Sequence, residues 1–240
     1  MTGKTYFVSG IDTGIGKTVA VGLMARSLRA HGVDAITVKM VQTGNDGFSE
    51  DLEKHRAICG TGRLPEDEAG LTAPQIFRFP SSPLLAARLE KRKVDLGRIA
   101  ECVDACAARR QVVLVESAGG LCVPLTEDTL SVDFAAAREW PLILVTCGRL
   151  GSINHTILSL EAAKSRGMNV AGVVFNMFPD ADPQICDDSV ETVRSALPRL
   201  GFPPVVVKVP SVSDGGPYPD VDFGPIFGGD IPQPVLYCRP

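Results

Sequence analysis

Short apolar segments alternate with longer amphipathic segments along the chain. The apolar segments lie at 6–8, 35–38, 112–115, 142–145, 170–175 and 205–207. The helix-like segments lie near 17–31, 82–92, 95–109, 130–138, 152–166 and 183–197. Apolar runs that are continuous rather than alternating are typical of strands covered on both faces. The repeated strand–helix–strand order therefore predicts one α/β domain, with a parallel sheet flanked by helices on both faces and joined by right-handed crossovers.

Two segments lack this alternation. Residues 44–80 are rich in Gly, Asp, Glu and Pro, and only Glu50 to Cys59 has a helical pattern there. A connection of that length usually serves a binding or catalytic site. From Ser211 onward the chain is rich in Pro and Gly and keeps neither period. We therefore divide the chain into a main domain at 1–212 and an irregular tail at 213–240, which we expect to lie over the surface.

Composition narrows the classes of function. The 240 residues include 24 Lys and Arg against 28 Asp and Glu, a net charge of −4, so we expect no basic groove for nucleic acid. No segment reaches the ~20 consecutive apolar residues of a membrane-spanning helix, so we expect no membrane partner. The 7 scattered cysteines include no C-x2-C pair and favour a reducing, cytoplasmic setting over a disulfide or zinc framework.

A glycine-rich loop carries the clearest chemistry. The sequence GIDTGIGKT, at residues 10–18, leaves the first predicted strand and begins the first predicted helix. Backbone N–H groups and the helix N-terminus can hold phosphate there, Lys17 can reach the β- and γ-phosphate oxygens, and Thr18 can bind Mg²⁺. The outer glycines are one residue further apart than in the usual G-x4-G-K-[ST] pattern. The loop therefore predicts a variant P-loop that binds a nucleotide.

Charged side chains stand where two later strands end. Lys39 begins KMVQTG after the second predicted strand, and Glu116 begins ESAGG after the third. Ligands of open α/β sheets bind at this edge, so Lys39 is either a solvated charge or a group that holds a transferring phosphoryl group or a carboxylate. Glu116 is expected to bind a metal, and the glycines of ESAGG would let a substrate approach closely. Asp51, in the loop after the second strand, is either a metal ligand or a helix cap.

In unbroken order from Tyr6 to about Val212, these motifs resemble those of dethiobiotin synthetases, the ATP-dependent ligases of biotin synthesis. The family's motifs are G-x-D-T-x-x-G-K-T, K-P-V-x-[ST]-G, a later Asp, E-G-A-G-G, a C-x-I-N-H helix start and an Asn after a later strand. Their counterparts here are GIDTGIGKT, KMVQTG, Asp51, ESAGG, LGSINH at 150–155 and Asn176. The residues that depart from the family's pattern, none of them at a charged position, are Met40, Ser117 and Ser152.

The resemblance implies a reaction. CO2 adds to one amine of 7,8-diaminononanoate (7,8-diaminopelargonate), ATP phosphorylates the carbamate, and the second amine closes a cyclic urea, with ADP and phosphate as the other products. It also implies Mg²⁺ as cofactor and a homodimer, in which the run from Gly151 to Asn154 reaches the neighbouring subunit's site. Such a site has to gather anionic partners and neutralise charge on the transferring phosphoryl group.

The resemblance further implies roles for single residues. The residues that act on the diamine or its carbamate are Lys39, Lys17 and Thr13, and those that bind it are Thr43, Gly119, Gly151, Ser152 and Asn154. The metal ligands are Thr18, Asp51 and Glu116. ATP contacts Gly14, Ile15, Gly16, Lys17, Thr18, Asp51, Glu116, Ser117, Ala118, Gly119, Asn176, Pro210, Ser211 and Val212. Among these, Asn176 reads the adenine edge and 210–212 forms the other wall of the base pocket.

Two other functions share parts of this pattern. Dimeric P-loop ATPase switches commonly carry a second lysine five residues before the lysine of G-K-T, and Asp12 stands at that position here. A kinase of the adenylate or shikimate type needs an Arg-rich lid, for which Arg63 and Arg78 are the candidates, although solvated side chains are the simpler interpretation. We expect His55 to lie on a solvated face of its helix.

Overall fold

The computed structural model describes residues 2–178, 182–212 and 215–228. The strands are β1 (Lys4–Gly10), β2 (Ala35–Lys39), β3 (Gln42–Thr43), β4 (Ile76–Phe77), β5 (Val112–Gly120), β6 (Leu142–Cys147), β7 (Val170–Asn176) and β8 (Val206–Val209). The helices are α1 (Lys17–Ala30), α2 (Glu50–Cys59), α3 (Pro65–Glu68), α4 (Pro83–Leu89), α5 (Leu96–Ala107), α6 (Ser131–Ala137), α7 (Ser152–Lys164), α8 (Pro183–Leu200) and α9 (Gly224–Phe227). Six strands form a parallel sheet in the order β2-β5-β1-β6-β7-β8, and β3 pairs with β4 in a second sheet.

Helices cover both faces of the six-stranded sheet, because both faces of its strands are apolar. Successive residues of a strand point to opposite faces, and along β1 Phe7 belongs to one buried cluster while Tyr6 and Val8 belong to another. The first cluster includes residues of α4, α5, α6, α7 and α8, and the second includes residues of α1, α2 and α9. This arrangement confirms the predicted α/β fold, a parallel sheet with helices on both faces.

The predicted elements match the observed ones closely. Each of the six apolar segments coincides or overlaps with a strand, and each of the six helix-like segments overlaps with a helix. The helix expected within the long connection, Glu50 to Cys59, has the observed bounds of α2. Within the described ranges, none of the helices combines the length and the apolar character that crossing a membrane requires.

The connection at 44–80 contains more regular structure than its sequence predicted. Besides α2 it holds α3 and β4, both too short to show a sequence period. Backbone hydrogen bonds fix it instead: the Lys39 N–H donates to the Thr72 carbonyl at 2.7 Å, and the Gln42 N–H donates to the Gln75 carbonyl at 2.9 Å. The connection is therefore held against the end of β2, the strand that carries Lys39.

The described part of the predicted tail divides in two: 215–222 is exposed or half-buried, as a surface tail would be, whereas apolar side chains of 223–227 pack into the core. The Pro- and Gly-rich composition gave no sign of the short helix α9. Phe223, which precedes this helix, is fully buried, and Ile226 and Phe227 within it are almost fully buried. The Phe227 ring meets the Tyr6 ring edge to face, with centroids 5.2 Å apart. Three apolar side chains are enough to anchor the end of this segment in the core even though it keeps no period. The rest of the tail, 213–214 and 229–240, lies outside the described residues, and the division at residue 212 stays a prediction.

We expect Phe227→Ala to lower the free energy of unfolding by about 3–5 kcal/mol, because it removes a buried ring from a packed core. The measurement is urea unfolding of the full chain, with Phe79→Ala as the control, since the Phe79 side chain is 48% exposed. A loss below about 1 kcal/mol for Phe227→Ala, or equal losses for both variants, would mean that α9 adds little to the core.

Candidate active site

The glycine-rich loop joins the buried end of β1 to the first turn of α1. Gly14 and Gly16 have φ of 71° and 84°, the left-handed region that glycine adopts without strain. A Cβ on Gly16 would lie 1.9 Å from Nδ2 of Asn176, so only glycine fits there. The Asn176 amide, at the end of β7, donates from Nδ2 to the Ile15 carbonyl at 2.8 Å and accepts from the Phe178 N–H at 3.2 Å. The loop and the end of β7 are thus locked together.

Lys39 is buried in an ion-pair cluster at the carboxyl edge of the sheet. Strands β2 and β5 pair with Lys39 opposite Glu116, and Lys39 Nζ lies 2.9 Å from Oε1 of Glu116. The same Nζ lies 2.6 Å from Oδ2 of Asp51 and donates to the Ser117 carbonyl at 3.1 Å. With its side chain 6% exposed, Lys39 is not the solvated charge that its position alone allowed.

The pKa values of this cluster follow from burial and charge pairing. Burial would lower the pKa of Lys39, but the Glu116 and Asp51 carboxylates outweigh it and raise that pKa above its ordinary value. Burial would raise the pKa of Glu116, but Lys39, His55 and Lys17 hold it well below its usual range. Both members of the pair are therefore charged. Burial lowers the pKa of Lys17, in the glycine-rich loop, to about 8, so a phosphate group nearby would favour its charged form.

Asp51 joins Thr18 and Glu116 to form a set of oxygen donors. Thr18 Oγ1 lies 3.0 Å from both Oδ1 of Asp51 and Oε1 of Glu116. The alternative of a helix cap is excluded for Asp51, because the Ser49 hydroxyl caps α2 by accepting from the Leu52 N–H. Within the described ranges, no three His, Cys, Asp or Glu residues group to hold a metal. Mg²⁺ typically takes one or two carboxylates and completes its shell with phosphate oxygens and water, so a hydroxyl and two carboxylates fit it.

A cavity of about 480 Å³ brings most of the predicted site residues together. Its lining includes Thr13, Gly14, Gly16, Lys17, Thr18, Lys39, Thr43, Asp51, Glu116, Ala118, Gly119, Asn176 and Val212. Two predicted residues lie buried beside it: Ile15, whose carbonyl Asn176 binds, and Ser117, whose hydroxyl lies 2.8 Å from that of Ser9. Pro210 and Ser211 are exposed next to Val212 and are not among the lining residues.

A second cavity, of about 470 Å³, adjoins the first. The two share Thr13, Thr43, Ala118 and Gly119, and the second adds the run 80–83 and Val123. Sequence reasoning missed this run, which begins α4 and gave no chemical motif. It also missed Phe178, an aromatic side chain 42% exposed on the first cavity, two residues after Asn176.

Three predicted substrate residues are not among the lining residues of these two cavities. Gly151 lines a separate cavity of about 400 Å³ with Leu150 and Ile185. Ser152 is buried with its Oγ 3.3 Å from Sγ of Cys147, and Asn154 is exposed on α7. None of the three lines either of the two adjoining cavities, although Arg149, two residues before Gly151, pairs with Asp12 of the glycine-rich loop.

His55 is buried at the site, so the expectation of a solvated His55 is wrong. Its Nε2 lies 2.8 Å from Oε2 of Glu116, and its Nδ1 lies 3.0 Å from the hydroxyl of Thr37. The face of α2 that carries His55 packs against α1 and β2. A signal existed in the sequence: Asp51 and His55 are four residues apart, so on a helix they share a face.

The features of the two competing functions have ordinary structural roles. The Asp12 carboxylate, at the position of the lysine of ATPase switches, pairs with the Arg149 guanidinium. Arg63 and Arg78 have side chains 59% and 76% exposed and pair with surface carboxylates. Both arginines are solvated, as the simpler interpretation held.

Comparisons with known proteins find a matching family, related sequences and a related fold. Residues 4–217 match the protein family described as "AAA domain". The chain is 43% identical over 196 residues to ATP-dependent dethiobiotin synthetase BioD 2 of Pasteurella multocida, covering 82% of this chain and 92% of that protein. It is 45% identical over 202 residues to ATP-dependent dethiobiotin synthetase BioD of Chlorobaculum tepidum, covering 84% of each. A solved ParA family ATPase from Chlorobium tepidum, 16% identical with a TM-score of 0.52 over 88% of this chain and 86% of that one, shares the fold alone.

Proposed function

The chain belongs to the family of ATP-dependent dethiobiotin synthetases, and from that premise we propose that it forms dethiobiotin in biotin biosynthesis. Its substrates are 7,8-diaminononanoate, CO2 and ATP, and its other products are ADP and phosphate. The observation that carries the proposal is the pair of adjoining cavities, which share Thr13, Thr43, Ala118 and Gly119 beside the buried Lys39. Two reactants of different shape can meet at those shared residues.

The proposed reaction has three bond-forming steps. One amine of the diamine attacks CO2 and loses a proton, which gives a carbamate. A carbamate oxygen then attacks the γ-phosphorus of ATP, and ADP leaves. The second amine attacks the carbonyl carbon of this mixed anhydride, phosphate leaves, and the cyclic urea closes. Every intermediate stays bound beside the phosphate loop, so catalysis consists mostly of positioning and charge neutralisation.

Two buried lysines supply the positive charge. Lys17 Nζ donates to the Asp12 carbonyl at 3.0 Å at the rim of the loop, within reach of a bound phosphate. Lys39 Nζ, held by Glu116 and Asp51, lines the first cavity and would bind the carbamate oxygen and the phosphoryl oxygens as they react. Both groups sit in a low-dielectric setting, where a fixed charge stabilises a transition state more than it would in water.

Thr18, Asp51 and Glu116 would hold the Mg²⁺ ion that the family relationship implies, because the Thr18 hydroxyl lies 3.0 Å from one carboxylate oxygen of each of the other two. When bound, the ion neutralises charge on the β- and γ-phosphate oxygens. The chain's own contribution is to fix these three donors on three separate elements, α1, α2 and β5.

The shared residues suit the diamine. Gly119 has φ of 70°, and a Cβ there would lie 3.0 Å from Val123 and 3.5 Å from the Thr13 hydroxyl. The missing side chain therefore leaves room between Thr13 and Val123 for an aliphatic chain. The hydroxyls of Thr13 and Thr43 would accept from or donate to the amine and the carbamate.

The base and the substrate carboxylate would lie at opposite ends of the site. Asn176 and Val212, with Phe178, line the part of the first cavity expected to hold adenine, with Pro210 and Ser211 beside it. The carboxylate would bind at Gly151, Ser152 and Asn154, at the N-terminus of α7 in a second copy of the chain, where free backbone N–H groups attract anions. Leu150, 86% exposed beside this helix start, supports burial there in a homodimer.

The test of this function is phosphate release from ATP with Mg²⁺ and bicarbonate, with and without 7,8-diaminononanoate, together with the mass of the product. We expect release that depends on the diamine and a product with the mass of dethiobiotin. Omission of bicarbonate from degassed buffer is the control for the carboxylation step. Phosphate release at the same rate without the diamine would contradict the proposal.

We expect Lys39→Gln to lower turnover at least 100-fold while ATP affinity changes less than about threefold, because Lys39 acts where charge develops in the reaction. The measurement is steady-state kinetics beside calorimetric binding of ATP. Lys208→Gln is the control, since the Lys208 ammonium pairs with Asp187 on the surface. Equal losses in turnover and in ATP affinity would mean that Lys39 is only a ground-state phosphate contact.

A further inference from the structure

A line of buried polar side chains connects Glu116 with the segment after α2. Its members, in order of contact, are Asp67, Arg56, Thr37, His55 and Glu116, and each is less than 10% exposed. Arg56 donates to both Asp67 oxygens, from Nε at 2.9 Å and from Nη2 at 2.6 Å, and from Nη1 to the Thr37 hydroxyl at 2.8 Å. The Thr37 hydroxyl then meets His55 Nδ1 at 3.0 Å, and His55 Nε2 meets Glu116 Oε2 at 2.8 Å.

The chemistry of the end groups gives two of these hydrogen bonds a direction. An arginine side chain has only donors, so the Thr37 oxygen accepts from Arg56. A carboxylate only accepts, so His55 Nε2 donates to Oε2 of Glu116. The contact between Thr37 and His55 Nδ1 joins these two ends. The line therefore connects the bidentate Arg56–Asp67 ion pair with one oxygen of the Glu116 carboxylate, and each contact limits the orientation of the next side chain.

The outer end of the line is firmly held. Burial would raise the pKa of Asp67, but hydrogen bonds from Arg56, the Leu64 N–H and the Thr72 hydroxyl lower it below its ordinary value. Asp67 therefore stays ionised and accepts three partners at once. Because Arg56 cannot swing away from Asp67 without leaving that carboxylate unpaired, the position of the Thr37 hydroxyl is fixed as well.

At the inner end of the line, the two carboxylate oxygens of Glu116 have different hydrogen-bond partners. Oε2 accepts from His55, whereas Oε1 lies 2.9 Å from Lys39 Nζ and 3.0 Å from Thr18 Oγ1. Without the His55 donor, the carboxylate could rotate about its last bond and exchange the two oxygens. Groups that hold a ligand carboxylate in one orientation commonly change metal affinity 10- to 100-fold when they are removed.

We propose that His55, aligned by Thr37 and Arg56, is a positioning residue that presents Oε1 of Glu116 to the divalent cation of the nucleotide site. The inference rests on the proposed function for the presence of that cation, but the geometry concerns only this chain's side chains. The proposal also assigns a function to the long connection at 44–80, because α2 and Asp67 both lie within that connection.

The experiment measures Mn²⁺ binding by electron paramagnetic resonance on the full chain saturated with ADP, and ADP binding without metal. His55→Leu, which fills similar space without a donor, should weaken Mn²⁺ binding about 10- to 100-fold and leave metal-free ADP binding within twofold of wild type. Thr37→Val, which removes only the hydroxyl, should weaken Mn²⁺ binding in the same direction by a smaller factor. Thr37→Ser, which restores the hydroxyl, should return it to within about twofold of wild type.

The matched control is Thr146→Val, because Thr146 is also buried in the main sheet and its hydroxyl contacts Thr156 rather than this line. Folded His55→Leu that binds Mn²⁺ as wild type does, or that loses Mn²⁺ and metal-free ADP binding by the same factor, would overturn the proposal. If His55→Leu fails to fold, the Thr37 pair decides, and equal Mn²⁺ binding by Thr37→Val and Thr37→Ser would overturn it.

The outcome is separable from that of the proposed function. Mn²⁺ binding is measured with ADP and no diamine, whereas the function is tested by diamine-dependent phosphate release. A chain that fails the second test can still pass the first.

Discussion

The buried ion pair between Lys39 and Glu116 is the interaction on which the arrangement of the site depends. Burying two charges costs more than their mutual attraction returns unless further hydrogen bonds complete both groups. Here Asp51 and the Ser117 carbonyl complete Lys39, and Thr18 and His55 complete Glu116. The parallel register of β2 and β5 sets the pair side by side. Helix α2 supplies Asp51 and His55, so these two contacts hold the helix against the ion pair.

The same cluster prepares the site for an anionic ligand. Lys17 and Lys39 are balanced by Asp51 and Glu116, so the four side chains together carry no excess charge. A bound triphosphate adds more negative charge than two lysines neutralise, which is the physical reason that a cation belongs in the proposed function. A polar cluster buried in an otherwise apolar sheet departs from the usual rules of folding, and such departures concentrate at functional sites.

Much of the fold could be predicted from the sequence because its main strands are continuous apolar runs and its long helices are amphipathic. The P-loop, Lys39 and Glu116 could be placed at one edge of the sheet, since parallel strands end there together. The short elements α3, β4 and α9 could not, because tertiary contacts rather than periods determine them. Burial of His55 also escaped prediction: it depends on which face of α2 packs inward, and charged residues around it suggested a solvated helix. The residues Gly151, Ser152 and Asn154 do not line the two adjoining cavities of one chain, so their proposed role depends on a second copy.

The most direct test of the central claim, that this carboxylate cluster binds the cation of a nucleotide, is a crystal structure with a non-hydrolysable ATP analogue and Mn²⁺. Anomalous scattering would locate the ion. We expect the ion to bind Thr18 Oγ1 and at least one carboxylate oxygen of Asp51 or Glu116, with the triphosphate along 13–18 of the loop. An ion bound by other side chains, with Thr18, Asp51 and Glu116 still in their present contacts with one another, Lys39 and His55, would contradict the claim.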